Sequence, residues 1–167
     1  MSDGWPRSEL SDVARLRVLA AGLPGVVVHE RLIDVEFERV WGFVSDVERA
    51  VPRFDDTVDE LRVLRRADQR MRVRVTWTLW RFRMPVYMDV VLRDGWCWMV
   101  SRPGIYVVGM AAEADGHRTR FALLEGLAFG APRPVSVALR PLLAVMRWRH
   151  RRHTRRDVDG IERMLRN

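Results

Sequence analysis

Residues Pro134 to Leu165 read PVSVALRPLLAVMRWRHRRHTRRDVDGIERML. Pro134 suits a first helical turn, where its missing N–H would have had no partner anyway. At about 100° per residue, Val135, Leu139, Leu142, Leu143, Met146, Ile161 and Met164 share one side of a helix. Arg147, Arg149, Arg151, Arg152, Arg155 and Arg156 share the other. The segment is expected to be one long amphipathic helix with a guanidinium-covered back. Pro141 falls inside it and should kink it or mark its true start. His150, His153 and Asp157, at spacings of three and four, project from the middle of the apolar side, where polar groups must be paired with something.

Such a helix needs a surface to cover, and the middle of the chain supplies one. Met71, Val73, Val75, Trp77 and Leu79 occupy one parity, while Arg70, Arg72, Arg74, Thr76 and Thr78 occupy the other. That alternation predicts a strand with one dry and one wet face. Leu61 to Leu64 should form the strand before it. Met84 to Leu92 should form the strand after it, with Met84, Val86, Met88, Val90 and Leu92 on the dry parity. The tripeptides Arg93-Asp94-Gly95, Arg102-Pro103-Gly104 and Ala114-Asp115-Gly116 are turn signals. They separate further strands at Trp96–Ser101, Ile105–Glu113 and His117–Leu127, the last with Phe121, Leu123 and Glu125 on one parity. Ahead of the meander lie a short helix from Ser8 to Ala21, a strand from Val26 to Val35 that carries His29, and a helix from Glu36 that should stop near Pro52. The predicted class is α+β: a curved antiparallel sheet of six to seven strands around a long C-terminal helix. Residues 1–25 form an N-terminal extension with its own helix, and 26–167 form the main domain. A meander curved around one helix tends to leave a hollow between them, the natural place for a ligand.

Composition narrows the chemistry. The chain has 167 residues, a formal charge of +7 and 48% hydrophobic residues, and all 29 of its basic side chains are arginine. Without lysine there is no Schiff-base chemistry and no P-loop lysine. A single cysteine, Cys97, excludes internal disulfides and cysteine-rich zinc sites, as a reducing cytoplasm would allow. No stretch is apolar for long enough to span a bilayer, and the start is not that of a signal peptide. The expectation is a cytoplasmic protein, a monomer or homodimer. Six arginines on one helix face could track phosphates, yet no nucleic-acid-binding motif accompanies them, so a solvated face is preferred to a nucleic-acid surface. An acidic carrier protein is a second candidate for that face.

The order of elements, together with Phe37-Glu38-Arg39-Val40-Trp41, Ser45-Asp46-Val47-Glu48, Trp96-Cys97-Trp98, Gly116-His117-Arg118-Thr119-Arg120-Phe121 and Arg155-Arg156-Asp157, resembles the START-like superfamily. This is also known as SRPBCC or the Bet v 1-like helix-grip fold. Within it the chain looks most like polyketide aromatase/cyclases and their cyclase/dehydrase and lipid-transport relatives. The resemblance implies a hydrophobic, polyketide-like ligand, cyclisation without a cofactor, or, alternatively, non-catalytic carriage or sensing of a lipid-like or aromatic molecule. Such cyclases carry a pocket arginine, for which Arg72, Arg74 and Arg83 are the candidates here. Where they usually place a tryptophan after the first helix's acidic turn, this chain has Ala50.

Cyclising a poly-ketone needs a base, a donor for the developing enolate, an acid for the departing water and a cavity that folds the chain. His150 or His153 is the expected base or acid, Asp157 the group that orients it, and Glu125 the residue facing them across the cavity. Read as structure alone, the same residues make a satisfied buried network that anchors the helix. Trp41, Trp77, Trp98, Tyr106, Met110, Phe121 and Met146 are the expected ligand-binding side chains, since aromatic rings and thioethers suit planar ligands. His150, His153 and Asp157 could also be read as metal ligands, but zinc helices more usually pair histidines at i and i+4 with a further ligand elsewhere, so no metal is expected.

Overall fold

The alternation at Met71–Leu79 forms a strand whose parities separate by environment: Met71, Val73 and Val75 are buried, while Arg70 and Arg72 are exposed. A computed structural model of the chain describes residues 9–79, 82–128 and 140–166, with the side chains of residues 79 and 140–143 outside that description. In order the elements are α1 (Asp12–Gly22), β1 (Gly25–Ile33), α2 (Phe37–Val44), α3 (Val47–Phe54), β2 (Val58–Ala67), β3 (Arg70–Leu79) and β4 (Phe82–Arg93). They continue with β5 (Trp96–Ser101), β6 (Tyr106–Asp115), β7 (Arg118–Leu127) and α4 (Arg140–Arg166). The strands form one seven-stranded antiparallel sheet in the order β1-β7-β6-β5-β4-β3-β2. This is the expected α+β arrangement of a curved sheet and a long C-terminal helix.

The turn signals hold where glycine must take a left-handed conformation: Gly95 turns β4 into β5 at φ +67°, which a side chain would resist. Strand β2 runs well beyond Leu61–Leu64 because register irregularities between Val58 and Glu60 and between Val63 and Arg65 scramble its alternation. The helix expected from Glu36 to Pro52 is two. The break falls at Ser45 and Asp46, whose carbonyl starts α3 by accepting from the N–H groups of Arg49 and Ala50. Both halves turn valines inward. Pro52 does not end α3, which continues to Phe54.

Two cores result. The concave face of the sheet packs Val73, Met88, Met110, Phe121 and Leu123 against Val40, Val44 and Val51 of α2 and α3 and against Val158, Ile161 and Leu165 of α4. The closing helix is therefore not the sole cover: α4 lies chiefly over β1 and β7, and α3 over β2. Arg31, on the inner parity of β1, holds α4 down through Asp159 and, at 2.6 Å, Glu162. On α4, Pro141 lies in the first described turn, and Val135 and Leu139 are outside the described residues, as are the side chains of Leu142 and Leu143. Arg147 departs from the expected pattern: it is half-buried, because it stands two turns before Thr154 on the packed side.

The outer face is not uniformly wet. Arg72, Arg74 and Arg83 lie there and pair with Asp89, Glu60 and Asp59. Towards β1, however, α1 covers it: Val13 and Leu16 are buried against Val26, Val107, Ala111, Ala122 and Leu124. Ser11 caps α1, accepting from Ala14 N at 3.3 Å. The Val13 N–H donates to Glu113 at 2.7 Å, and Arg93 donates to Asp12 at 2.8 Å. Gly109 makes the contact close, since a Cβ there would meet Leu16 Cδ2 at 2.8 Å and the Trp98 ring at 3.0 Å. Leu16→Ala should therefore cost about 2–5 kcal/mol in urea unfolding, while Leu10→Ala, at an exposed position, should change little. Equal effects would mean that α1 is not docked as described.

Candidate functional site

Four elements bring polar side chains to one place against the concave face. On α4, His153 and Asp157 are one turn apart and Thr154 lies between them. On β7, Glu125 follows Phe121 and Leu123 on the inward parity. Tyr106 opens β6, and Asp55 is the first residue after α3. His153 Nε2 is the centre of the group: it lies 3.2 Å from Asp55 Oδ1, 3.5 Å from Asp157 Oδ2 and 4.0 Å from Glu125 Oε2. Its Nδ1 is 3.7 Å from Asp56. Thr57 fixes Asp55 by donating from its hydroxyl at 2.6 Å and its N–H at 2.9 Å. Thr154 Oγ1 lies 3.0 Å from Glu125 Oε1 and 2.5 Å from the His150 carbonyl. The Tyr106 hydroxyl stands 3.5 Å from Glu125 Oε2, long for a hydrogen bond.

Three buried or half-buried carboxyl groups around one imidazole cannot all carry charge cheaply. Burial pushes Glu125 up to about 7, against the pull of His153. Burial, reinforced by the charge of Asp55, raises Asp157 to about 8. Burial would lower His153, but the hydrogen bond to Asp55 and the charges of Glu125 and Asp157 outweigh it and raise the imidazole to about 9. Burial likewise opposes ionisation of Asp55, yet the bonds from His153 and Thr57 leave that carboxyl below its ordinary range. Near neutrality the group therefore holds an Asp55 carboxylate, a His153 imidazolium, a protonated Asp157 and a Glu125 balanced between forms. Burial and the His153 charge lower His150 below the ordinary imidazole range. Its Nδ1 is buried without a partner among the described residues, and its ring meets Tyr106 edge-on at 5.9 Å.

Beside this cluster is a hollow of about 30 Å³ lined by Val51, Phe54, Val58, Leu61, Val75, Trp77, Met88, Met99, Val108 and Met110, with Asp55 and Tyr106 as its polar members. That is room for one or two waters, much less than the ligand-sized hollow expected from a curved meander. Trp77 and Tyr106 pack edge to face at 4.9 Å along it. Of the expected ligand-binding residues, Trp77, Tyr106 and Met110 line the hollow. Trp41 and Phe121 are packed into the concave core away from its lining, and Met146 is half-buried on α4. Trp98 is on the other side of the sheet, stacked 6.1 Å from Trp96 and packed in the core under α1. Strand parity decides this: in β5, Cys97 and Met99 point inward, so Trp96 and Trp98 cannot. A larger cleft of about 410 Å³ lies at the surface among Arg31, Arg156, Asp159, Glu162, Arg163 and Arg166, but its carboxylates are already paired with Arg31 and Arg166.

Asp55, Thr57 and Thr154 belong to the cluster without having been expected there. Thr154 was legible, since it lies between His153 and Asp157 on the packed side of the helix. Asp55 carried no local signal, because an Asp-Asp pair after a helix normally marks a solvated turn. Asp55, His153 and Asp157 each bring one donor atom within 4.8 Å of the other two, so the set a divalent cation could use replaces His150 with Asp55.

No family model matches the chain, and no curated protein does. Solved structures match closely in shape. A Thermus thermophilus protein, TTHA0849, superposes with a TM-score of 0.64 at 21% identity, over 84% of this chain and 96% of that one. The Zhui aromatase/cyclase of a Streptomyces species gives 0.63 at 13%, over 84% and 93%. A START superfamily protein of Mycobacterium smegmatis gives 0.62 at 12%, over 84% and 98%. With a seven-stranded antiparallel sheet gripping a long C-terminal helix, the chain has the START-like, or SRPBCC, helix-grip fold.

Proposed function

We propose that the protein binds a hydrophobic, polyketide-like small molecule between the sheet and α4 and promotes its cyclisation and aromatisation by acid–base catalysis without a cofactor. The observation that carries this reading is convergence: the titratable groups meet at one spot at the end of an apolar hollow instead of scattering around its rim. The aromatase/cyclase among the structural neighbours supports the same direction. A ligand of that size enters by displacing the half-buried Trp77 and Tyr106 side chains.

The geometry redistributes the expected roles. His153, held as an imidazolium, supplies positive charge and is not the base. Glu125, near 7, has both forms available at neutral pH, as a general acid–base group needs. Its carboxylate takes a proton from a methylene flanked by two carbonyls, and Tyr106 donates a hydrogen bond to the enolate oxygen. Burial keeps the Tyr106 phenol protonated well above its ordinary range, so it serves as a donor. The enolate carbon bonds to a second carbonyl carbon, whose oxygen takes the proton back from Glu125. A second abstraction by Glu125 expels that hydroxyl as water, with the protonated Asp157 as the acid in reach of the cluster. One water leaves and nothing is oxidised or reduced.

The alternative is a carrier or sensor with the same hollow, in which the cluster only anchors α4. It is favoured by the degree to which the polar groups already satisfy one another. Incubation with a synthetic poly-β-ketone thioester, followed by mass spectrometry, separates the two. Protein-dependent loss of water with ring formation supports catalysis. Retention of an unchanged ligand in native mass spectra supports carriage, and neither result would end both readings.

A further inference from the structure

From Gly126 to Arg156 the chain contains no carboxylate, and the outward side of α4 shows the consequence. Arg149, Arg152, Arg155 and Arg156 are exposed there, and none of them has a carboxylate within ion-pair distance among the described residues. On the outer face of the sheet, by contrast, Arg72 and Arg102 share Asp89, and Arg62 and Arg74 share Glu60. On the same stripe Val145 and Trp148 are each 57% exposed, with Arg152 stacked over the indole at 4.9 Å.

Further apolar side chains are exposed at the same end of the sheet. Phe82, which begins β4, is 74% exposed, and Ile105, between β5 and β6, is 47% exposed. Antiparallel connectivity puts the starts of β4 and β6 at one end. The contact of His150 with Tyr106, the first residue of β6, brings the first half of α4 to that end as well. The hollow reaches it through Trp77, two residues before the Leu79–Phe82 pair that ends the β3–β4 register.

We infer that this end of the molecule docks on a lipid surface bearing anionic headgroups, with the α4 arginines on the phosphates and Trp148, Val145 and Phe82 in the interfacial layer. Uncompensated guanidinium groups complement the negative surface potential of such a bilayer, and tryptophan favours the headgroup level, where one edge is apolar and the other wet. An acidic protein or a nucleic acid would satisfy the arginines but would leave apolar side chains on separate elements without a common cover. A planar bilayer covers them together and sets the end of the hollow against a reservoir of hydrophobic molecules. The docking goes beyond the ligand reading and is tested without any ligand.

The test is co-sedimentation of the full chain with phosphatidylcholine vesicles, with and without phosphatidylglycerol. Binding is expected only to the anionic vesicles. The triple variant Arg149→Gln, Arg152→Gln, Arg156→Gln should lower the partition coefficient about 100-fold, from roughly 1 kcal/mol per charge near the surface. Trp148→Ser and Phe82→Ser should each lower it about tenfold, through lost apolar burial. Among the described residues none of these side chains is ion-paired, and none is buried, so circular dichroism and melting should be unchanged. Equal binding to neutral vesicles, or no binding to either, overturns the proposal. So does loss with the arginine variant alone, combined with full displacement by polyglutamate or duplex DNA, which would assign the stripe to an acidic polymer.

Discussion

Thermal unfolding followed from about pH 6.5, above which the lowered His29 and His150 no longer oppose the trend, to about pH 9 gives a midpoint that falls throughout the range. The sign comes from three groups that hold protons more tightly folded than unfolded. Glu125 moves from 4.5 to about 7, Asp157 from 3.8 to about 8 and His153 from 6.5 to about 9. Each contributes stability that is complete below its unfolded value and is lost as the pH rises through its folded value. For the two acids the lost term is the penalty of ionising a buried carboxyl. For His153 it is the pairing with Asp55, Asp157 and Glu125. Asp55 runs the other way: its folded value is depressed, so its contribution is present above the unfolded value and disappears on acidification. The groups titrate together, so the total is smaller than a sum of separate shifts. About 2–4 kcal/mol, or roughly 10 °C in a chain of this size, is expected. Asp157→Asn should flatten the fall and melt higher than the parent protein at the alkaline end. A midpoint that is level or rises across this range would refute the charge arrangement at His153.

The second large effect concerns turnover and rests on the proposed chemistry. Glu125→Gln keeps the side chain's shape and its contact with Thr154 but removes the exchangeable proton. A fall in cyclisation rate of about 10²–10⁴-fold is expected, with ligand retention in native mass spectra unchanged. In the parent protein kcat/KM should rise through about pH 7 as the Glu125 carboxylate forms, and the Gln variant should lose that limb. Tyr106→Phe removes the enolate donor and should cost about 10²-fold without moving the limb. Replacing His153 with Gln tests the network and the chemistry together, because it leaves the carboxyl groups without a cation. The expected cost of about 3–5 kcal/mol in stability should appear before any catalytic effect can be assigned. Full turnover by a folded Glu125→Gln variant would remove Glu125 from the mechanism and leave the carrier reading.

Much of this architecture was legible without coordinates. Alternation across Arg70–Leu79 and the glycine turns at Gly95 and Gly116 located strands to within a few residues, since a sheet with a buried side punishes any shift of parity. Register irregularities hid most of β2, and the break between α2 and α3 was invisible because both halves present valines at helical spacing. The candidate site was read in part. His153, Asp157 and Glu125 do meet, as spacing on α4 and parity on β7 allowed. His150 stands at the edge, against Tyr106, with no contact to a carboxylate among the described residues.

Periodicity and parity are local properties, and by themselves they determined the strands, the long helix and which side chains shared a face. They could not say which of two faces was inside, so they do not separate Trp98, half-buried under α1 on the far side, from the side chains facing the hollow. Nor could they reveal that Asp55, a hundred residues away in the chain, would lie 3.2 Å from His153. That proximity exists only because α3 and α4 meet over the same concave surface. The contact raises the imidazole to about 9; in the proposed chemistry the histidine then serves as a fixed cation and Glu125 carries the proton transfer.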